Sequence, residues 1–145
     1  KIDAYQPQAY VPSDMTRVEV YKKIASIRDR DGREDLIEEL VDRFGDPGKP
    51  VMNLIEIAHL KALCQRLGIE SASMLRGELK LRFAKSADPD VARLVAALAK
   101  HEKHVRLIAG KEPALHYVDM GKDVEELLRG AVEMLEDVVP RVVEV

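Results

Sequence analysis

Apolar side chains recur at helical spacing in three segments of the first half of the chain. The first is predicted to form a helix from Met15 to about Arg28, with Ser13 or Asp14 as its cap. The second, Arg33 to Phe44, has a single apolar stripe, whereas the third, Pro50 to about Leu67, is apolar over more than half its circumference. The third helix is therefore expected to be the most buried. The first two predicted stripes contain these residues: Val18, Tyr21, Ile24, Ala25 and Arg28, then Leu36, Ile37, Leu40, Val41 and Phe44.

The second half of the chain changes to strand periodicity. Residues 79–84 alternate apolar and polar side chains, and Gly77-Glu78 stands where a two-residue hairpin turn is expected. Asp88-Pro89 predicts the start of a helix. A second hairpin is predicted around Gly110 to Pro113, and a last helix before Pro140. The order strand, strand, helix, strand, strand, helix favours an antiparallel sheet with both helices on one face.

These patterns predict an α+β fold, in which an N-terminal three-helix lobe is followed by an antiparallel sheet built as hairpin-helix-hairpin-helix. We expect residues 1–145 to form one domain. Its parts would be an extended lead-in over residues 1–13, a helical lobe over residues 14–68 and a sheet-plus-helix lobe over residues 69–145. The prolines and tyrosines of the first segment favour extended chain.

The composition narrows the class of protein. Of 145 residues, 46% are hydrophobic and 34% charged, which is typical of a folded chain rather than a disordered one. The net charge of −3 argues against strong non-specific binding to nucleic acid. The single cysteine, Cys64, fits a reducing compartment, and no apolar run approaches the roughly 20 residues that span a bilayer. Since the chain begins with Lys1, the simplest interpretation is a piece of a longer cytoplasmic protein.

Residues suited to catalysis or metal binding do not form a convincing set. Cys64 lies in an apolar helix that predicts an inert thiol, and the chain has no phosphate-binding glycine loop. His101 and His104 are three residues apart, with His116 on a nearby strand, but histidines near a helix C-terminus are also favoured by the helix dipole. We therefore predict no catalytic, cofactor-binding or metal-binding residue in this chain.

An acidic segment precedes the corner between the second and third helices. Residues 28–46 contain eight acids and four arginines, a balance of −4. Glu39, Asp42 and Arg43 share one patch of this helix because they are three and four residues apart. One interpretation is a solvated surface, on which a Glu39–Arg43 pair stabilises the helix by roughly a few tenths of a kcal/mol. The other is a docking patch, in which the two acids bind arginines of a partner and Arg43 binds the partner in return.

The predicted sheet lobe is modestly basic. Residues 76–112 contain nine Lys or Arg and five acids, a balance of +4. Without exposed aromatic residues between the cations, solubility is one explanation. A weak DNA-contacting surface that uses Lys80, Arg82 and Arg106 is the alternative.

Several of these segments together resemble a known bacterial family. They are the lead-in Tyr5 to Pro12, the YKKIA sequence of residues 21–25, the LVDRFG helix end of residues 40–45, and the long third helix that closes in LGI at residues 67–69. Over residues 1 to about 70 the chain is similar to the C-terminal domain of bacterial transcription-repair coupling factors, the TRCF domain. It departs from the usual pattern at Gly48, which gives the corner extra freedom.

The resemblance implies a regulatory, non-catalytic domain of a cytoplasmic bacterial protein. The full-length factor would be an ATP-dependent DNA translocase that displaces stalled RNA polymerase and recruits UvrA for nucleotide-excision repair, with ATP and Mg²⁺ bound in a motor upstream of this domain. The domain would close onto the UvrA-binding module of the same chain and mask it. Carried over by position, Glu39, Asp42 and Arg43 would contact that module. A general protein-interaction module or a weak DNA-contacting module remains the alternative.

Overall fold

The computed structural model describes residues 10–11 and 13–140 of the chain. The predicted α+β class is confirmed, since three helices precede an antiparallel sheet that is interleaved and followed by two more helices. Most of the predicted lead-in lies outside the described residues. No described helix is both long and apolar enough to cross a membrane. The elements, in chain order, are α1 Asp14–Ala25, α2 Arg30–Phe44, α3 Gly48–Leu67, β1 Ile69–Leu75, β2 Glu78–Phe83, α4 Val91–Lys100, β3 Val105–Ile108, β4 Ala114–Val118 and α5 Val124–Val138.

The chain divides into two compact units, with the boundary between Ala62 and Leu63 inside α3. We call the described residues up to Ala62 the helical unit and residues 63–140 the sheet unit. The core of the helical unit combines apolar residues of all three helices and the segments between them: Val20, Ile24, Ile27, Leu36, Leu40, Val51 and Ile55.

Helix α1 begins as predicted but buries a different stripe. Its cap is Ser13, whose side chain accepts a hydrogen bond from the Thr16 N–H. The predicted stripe is right at Ile24 but wrong at Val18 and Tyr21, which are 54% and 39% exposed, and at Ala25 and Arg28, which are also exposed. The sequence contains a second apolar register at i, i+4 and i+7, and this one enters the core: Val20, Ile24 and Ile27.

Two local predictions in the sheet unit are off by one or two residues. The β1–β2 turn is Arg76–Gly77 rather than Gly77-Glu78, because Leu75 pairs with Glu78. Arg76 and Gly77 have φ of 46° and 77°, as a two-residue turn that matches the strand twist requires. Asp90, rather than Asp88, caps α4 by accepting a hydrogen bond from the Arg93 N–H at 3.1 Å.

The four strands lie in the order β1-β2-β4-β3, with every neighbouring pair antiparallel. Residues opposite each other point to the same face. On the inner face the row Leu79, Tyr117 and Val105 is buried. On the outer face the next row is Lys80, His116 and Arg106.

Gly130 lets α5 approach the inner face of the sheet. A β-carbon at this position would lie inside van der Waals contact with the hydroxyl of Tyr117, which is only 3% exposed and cannot move aside freely. The lack of a side chain at residue 130 is therefore a packing requirement.

We expect Gly130→Ala to lower the free energy of unfolding by about 1–3 kcal/mol, because the added methyl overpacks the core. Urea unfolding followed by circular dichroism measures this change. Tyr117→Phe removes the nearest atom, so the same glycine substitution should cost less in that background. Equal costs in both backgrounds would contradict the proposed clash.

Candidate functional site

Burial of one side of α2 decides which way the polar residues at its C-terminal end face. Leu36 and Leu40 are buried as predicted, whereas Val41 is 46% exposed. The helix ends at Gly45, which has φ of 82° and donates its N–H to the Val41 carbonyl at 2.9 Å. Burial of the leucine side leaves Glu39, Asp42 and Arg43 toward solvent.

Glu39 is the centre of a charge network between α1 and α2. Its Oε2 accepts hydrogen bonds from Lys23 Nζ at 2.7 Å and from an Arg43 nitrogen at 3.1 Å. Glu19 Oε1 lies 3.5 Å from Lys23 Nζ and 3.7 Å from the same Arg43 nitrogen. The four charges therefore alternate in sign. The predicted Glu39–Arg43 pair is present, and its helical spacing was sufficient to find it.

The network lowers the pKa of the Glu39 carboxyl, first through the Lys23 hydrogen bond and then through the Arg43 hydrogen bond. The Glu39 hydrogen bond in turn raises the pKa of Lys23. The side chains of Glu19, Lys23, Glu39 and Arg43 are 36–54% exposed. Water can therefore replace each bond at small cost.

Asp42 differs from its two neighbours in the patch. It is exposed, and it forms no ion pair or hydrogen bond with the part of the chain that the structure describes. Of the three predicted residues, Glu39 and Arg43 are thus held in place by intramolecular bonds, whereas Asp42 is available to a partner.

Aromatic contacts fix the end of α2 beside this patch. The Arg43 guanidinium lies 4.9 Å from the centre of the Phe44 ring, within the range of a cation–π interaction. Tyr10 packs edge-on against the same ring, with ring centres 5.7 Å apart. Its hydroxyl donates a hydrogen bond to the Gly45 carbonyl at 2.9 Å, with the Leu40 carbonyl 3.2 Å away. The C-terminal end of α2 is therefore fixed by two contacts of Phe44, one with Arg43 and one with Tyr10.

A buried ion pair holds the other end of α2. Glu56 of α3 is fully buried, and its Oε1 accepts hydrogen bonds from the guanidinium of Arg33, one of them from Nε at 2.7 Å. The second polar residue of this core is His59, which is 1% exposed. The sequence pattern did not predict these roles, although polar residues at positions 56 and 59 of an otherwise apolar helix were a signal.

The surroundings of His59 disfavour its charged form. Burial, followed by the positive charges of Arg33 and Arg30, lowers the pKa of His59 to about 4. Since the ordinary value is about 6.5, the side chain is neutral at pH 7 in the folded protein. The helical unit therefore contains a group whose protonation opposes folding.

The other candidates from the sequence are separated in space. Burial raises the pKa of the Cys64 thiol to about 12, so it is not a nucleophile at neutral pH. No three potential metal ligands converge among the described residues. Each of the three histidines contacts a different partner: His101 Nε2 lies 2.7 Å from Asp137 Oδ2, His104 Nδ1 lies 3.2 Å from the Val118 carbonyl, and His116 Nδ1 lies 3.6 Å from Glu78 Oε1.

The three cations considered for DNA contact have different surroundings. Arg82 is paired with Glu70 and, at 3.6 Å, with Glu112. Lys80 and Arg106 are exposed in the same cross-strand row.

Comparison with known proteins identifies the family. A family model described as the TRCF domain matches residues 1–94. The chain belongs to the TRCF-domain family. This confirms the resemblance inferred from the sequence and extends it beyond residue 70.

Individual relatives agree with this assignment. The transcription-repair-coupling factor of Escherichia coli (strain K12) is 36% identical over 104 residues, which cover 70% of this chain and 9% of that protein. That of Bacillus subtilis (strain 168) is 24% identical over 138 residues, covering 93% of this chain and 12% of that protein. The chain thus spans about a tenth of the length of these relatives. The crystal structure of the C-terminal domain of a transcription-repair coupling factor matches with a TM-score of 0.78 and 28% identity, covering 96% of this chain and 90% of that one.

We expect the buried ion pair of the TRCF domain to matter much more for stability than the exposed one. Arg33→Met leaves the buried Glu56 carboxylate without its arginine and should lower the free energy of unfolding by about 3–5 kcal/mol. Arg43→Met, the matched change at the surface, should cost no more than about 1 kcal/mol. Urea unfolding of both variants measures the difference, and similar losses would refute it.

The depressed pKa of His59 predicts a specific pH dependence of stability. As pH falls from about 6.5 to about 4, the unfolded chain binds a proton that the folded chain does not, so stability decreases. At about 1.4 kcal/mol per pH unit, the loss is about 3 kcal/mol and levels off below about pH 4.

Urea unfolding between pH 7 and pH 4 tests this dependence. His59→Gln should flatten the profile over this range, whereas His116→Gln on the outer face of the sheet serves as the matched control. A His59→Gln profile parallel to that of the parent would show that His59 does not cause the loss.

Proposed function

We propose that the end of α2 is an intramolecular latch in a full-length transcription-repair coupling factor. In this proposal Glu39, Asp42 and Arg43 dock against the UvrA-binding module of the same protein and mask its recruitment surface. The docked domain also restrains an ATP-dependent DNA translocase until RNA polymerase is engaged. The single observation that carries the proposal is the exposed Asp42 beside the preorganised Glu39–Arg43 pair.

The chemistry of the patch suits a contact that must open. A partner arginine can bind Asp42 without first breaking a bond to the described residues, because Asp42 makes none. Arg43 can donate a hydrogen bond to a carboxylate of the partner while it stays bonded to Glu39. Charge-assisted hydrogen bonds of this kind are exchanged for water when the contact opens, whereas a large apolar patch would stay unfavourably exposed.

Lys23 competes with the proposed partner for the Glu39 carboxylate. It binds the Glu39 carboxylate at 2.7 Å, where a cation of the partner would also bind. The docked state must therefore share or displace this bond. This competition weakens the latch and makes its opening easier.

Reversal of two charges in the full-length factor tests the latch. Glu39→Arg together with Asp42→Arg should repel the partner cations and raise both UvrA binding and the ATPase rate. A regulatory coupling of about 1–3 kcal/mol corresponds to a change of about 5- to 150-fold. UvrA pull-down and steady-state ATP hydrolysis measure the two effects.

Two further variants sharpen this test. Asp88→Arg with Glu102→Arg makes an equal change of net charge at exposed acids of the sheet unit, away from the patch, and should leave both readouts near the parent level. Lys23→Met removes the competitor and should shift both readouts in the opposite direction, toward tighter closure. If the patch variant folds normally and neither readout changes, the latch is the wrong function for these residues.

A further inference from the structure

Charge is distributed unevenly within the sheet unit. Residues 69–112 contain nine Lys or Arg and six acids, a balance of +3. Residues 119–140, which include α5, contain two Lys or Arg and seven acids, a balance of −5. The net charge of the chain conceals this separation.

The outer face of the sheet concentrates part of the positive charge in one row. Lys80 of β2 and Arg106 of β3 both pair directly with His116 of β4. The two cations are therefore two strand spacings, about 10 Å, apart. Both are exposed, and neither forms an ion pair with any residue in the described ranges. Glu78 lies on the same face, two residues from Lys80 on β2, and its carboxylate is 3.6 Å from His116. Since Lys80 and Arg106 pair with no acid in the described ranges, each can bind an external anion.

A groove continues this row beyond the end of β2. It has a volume of about 370 Å³, and its charged lining consists of Arg82, Lys85 and Lys111 together with the acids Glu70 and Glu112. Arg82 points to the same face as Lys80 because the two are two residues apart on one strand. Glu70 and Glu112 both bind Arg82, whereas Lys85 and Lys111 are exposed and form no ion pair within residues 10–11 and 13–140. We call Lys80, Lys85, Arg106 and Lys111 the basic face.

We propose that the basic face binds the phosphodiester backbone of duplex DNA. Single-stranded nucleic acid is bound largely by stacking on aromatic side chains, and the aromatic residues of this sheet, Phe83 and Tyr117, are buried. A protein partner is usually held by an aromatic or apolar anchor in a pocket. On this face the exposed apolar residue Ile108 lies on strand β3, and the groove is lined mainly by charged side chains. The negative charge around α5 would orient the domain with its basic face toward DNA.

The proposal is independent of the latch, since it uses none of the same residues. It predicts weak, sequence-independent binding that depends steeply on salt. With about four phosphates neutralised, the slope of log association constant against log salt concentration should be about −3 to −4.

Nuclear magnetic resonance titration of the 145-residue chain with a 16-base-pair duplex locates and measures this binding. At about 25 mM salt the shifted amides should lie in β2, β3, β4 and the loops of Lys85 and Lys111. The shifts should diminish at about 150 mM salt, because the release of counterions from DNA, which favours binding, gains less free energy at a higher salt concentration.

Matched variants separate the basic face from net charge. Lys80→Gln with Arg106→Gln should reduce the magnitude of the salt slope by about 2, at about 0.9 per phosphate contact. Lys122→Gln with Arg129→Gln removes the same charge beside α5 and should leave the slope nearly unchanged.

Three results would overturn the assignment. They are no shifts at low salt, shifts centred on α5, or equally tight binding of a poly-glutamate peptide of matched charge. The last result would show that the face binds polyanions in general rather than DNA.

Discussion

The ion pair between Arg33 and Glu56 constrains how α2 is held in the helical unit. A carboxylate that is fully buried is stable in its charged form only beside a cation, and Arg33 supplies that cation from the first turn of α2. Leu36 and Leu40 then enter the core along the same helix. Once these three positions are fixed, the side that contains Glu39, Asp42 and Arg43 has to face solvent.

The two ends of α2 use charge in different ways. At the start, the charges are removed from water, so their separation is costly and the helix is anchored permanently. At the end, Glu39 and Arg43 keep contact with water, so their bonds can be exchanged at little cost. A surface that docks reversibly needs both properties, because its frame must stay rigid while its contacts remain exchangeable.

The sheet unit separates its chemistry by face. The inner row of Leu79, Tyr117 and Val105 is apolar and buried, and Gly130 permits close packing of α5 there. The outer row of Lys80, His116 and Arg106 is polar. The period of two along each strand produces this division automatically. The family domain therefore offers two chemically distinct surfaces, an acidic-and-basic patch on α2 and a basic face on the sheet.

Helices α2 and α3 and the strand character of the second half followed from local periodicity, which is why the sequence predicted their bounds within a few residues. It also determined the Glu39–Arg43 pair, since that contact lies within one helical turn. The sequence around α1 contains two possible apolar stripes of similar content. Only tertiary packing decides that the stripe of Val20, Ile24 and Ile27 is the buried one.

Tertiary structure alone decided the partners that are distant in the chain. Lys23 meets Glu39 across sixteen residues and Arg33 meets Glu56 across twenty-three, and no spacing rule relates such pairs. The row of Lys80, His116 and Arg106 likewise depends on strand order and register. The reason is physical: periodicity records which side of an element is buried, whereas ion pairs and cross-strand neighbours form only after separate elements have packed.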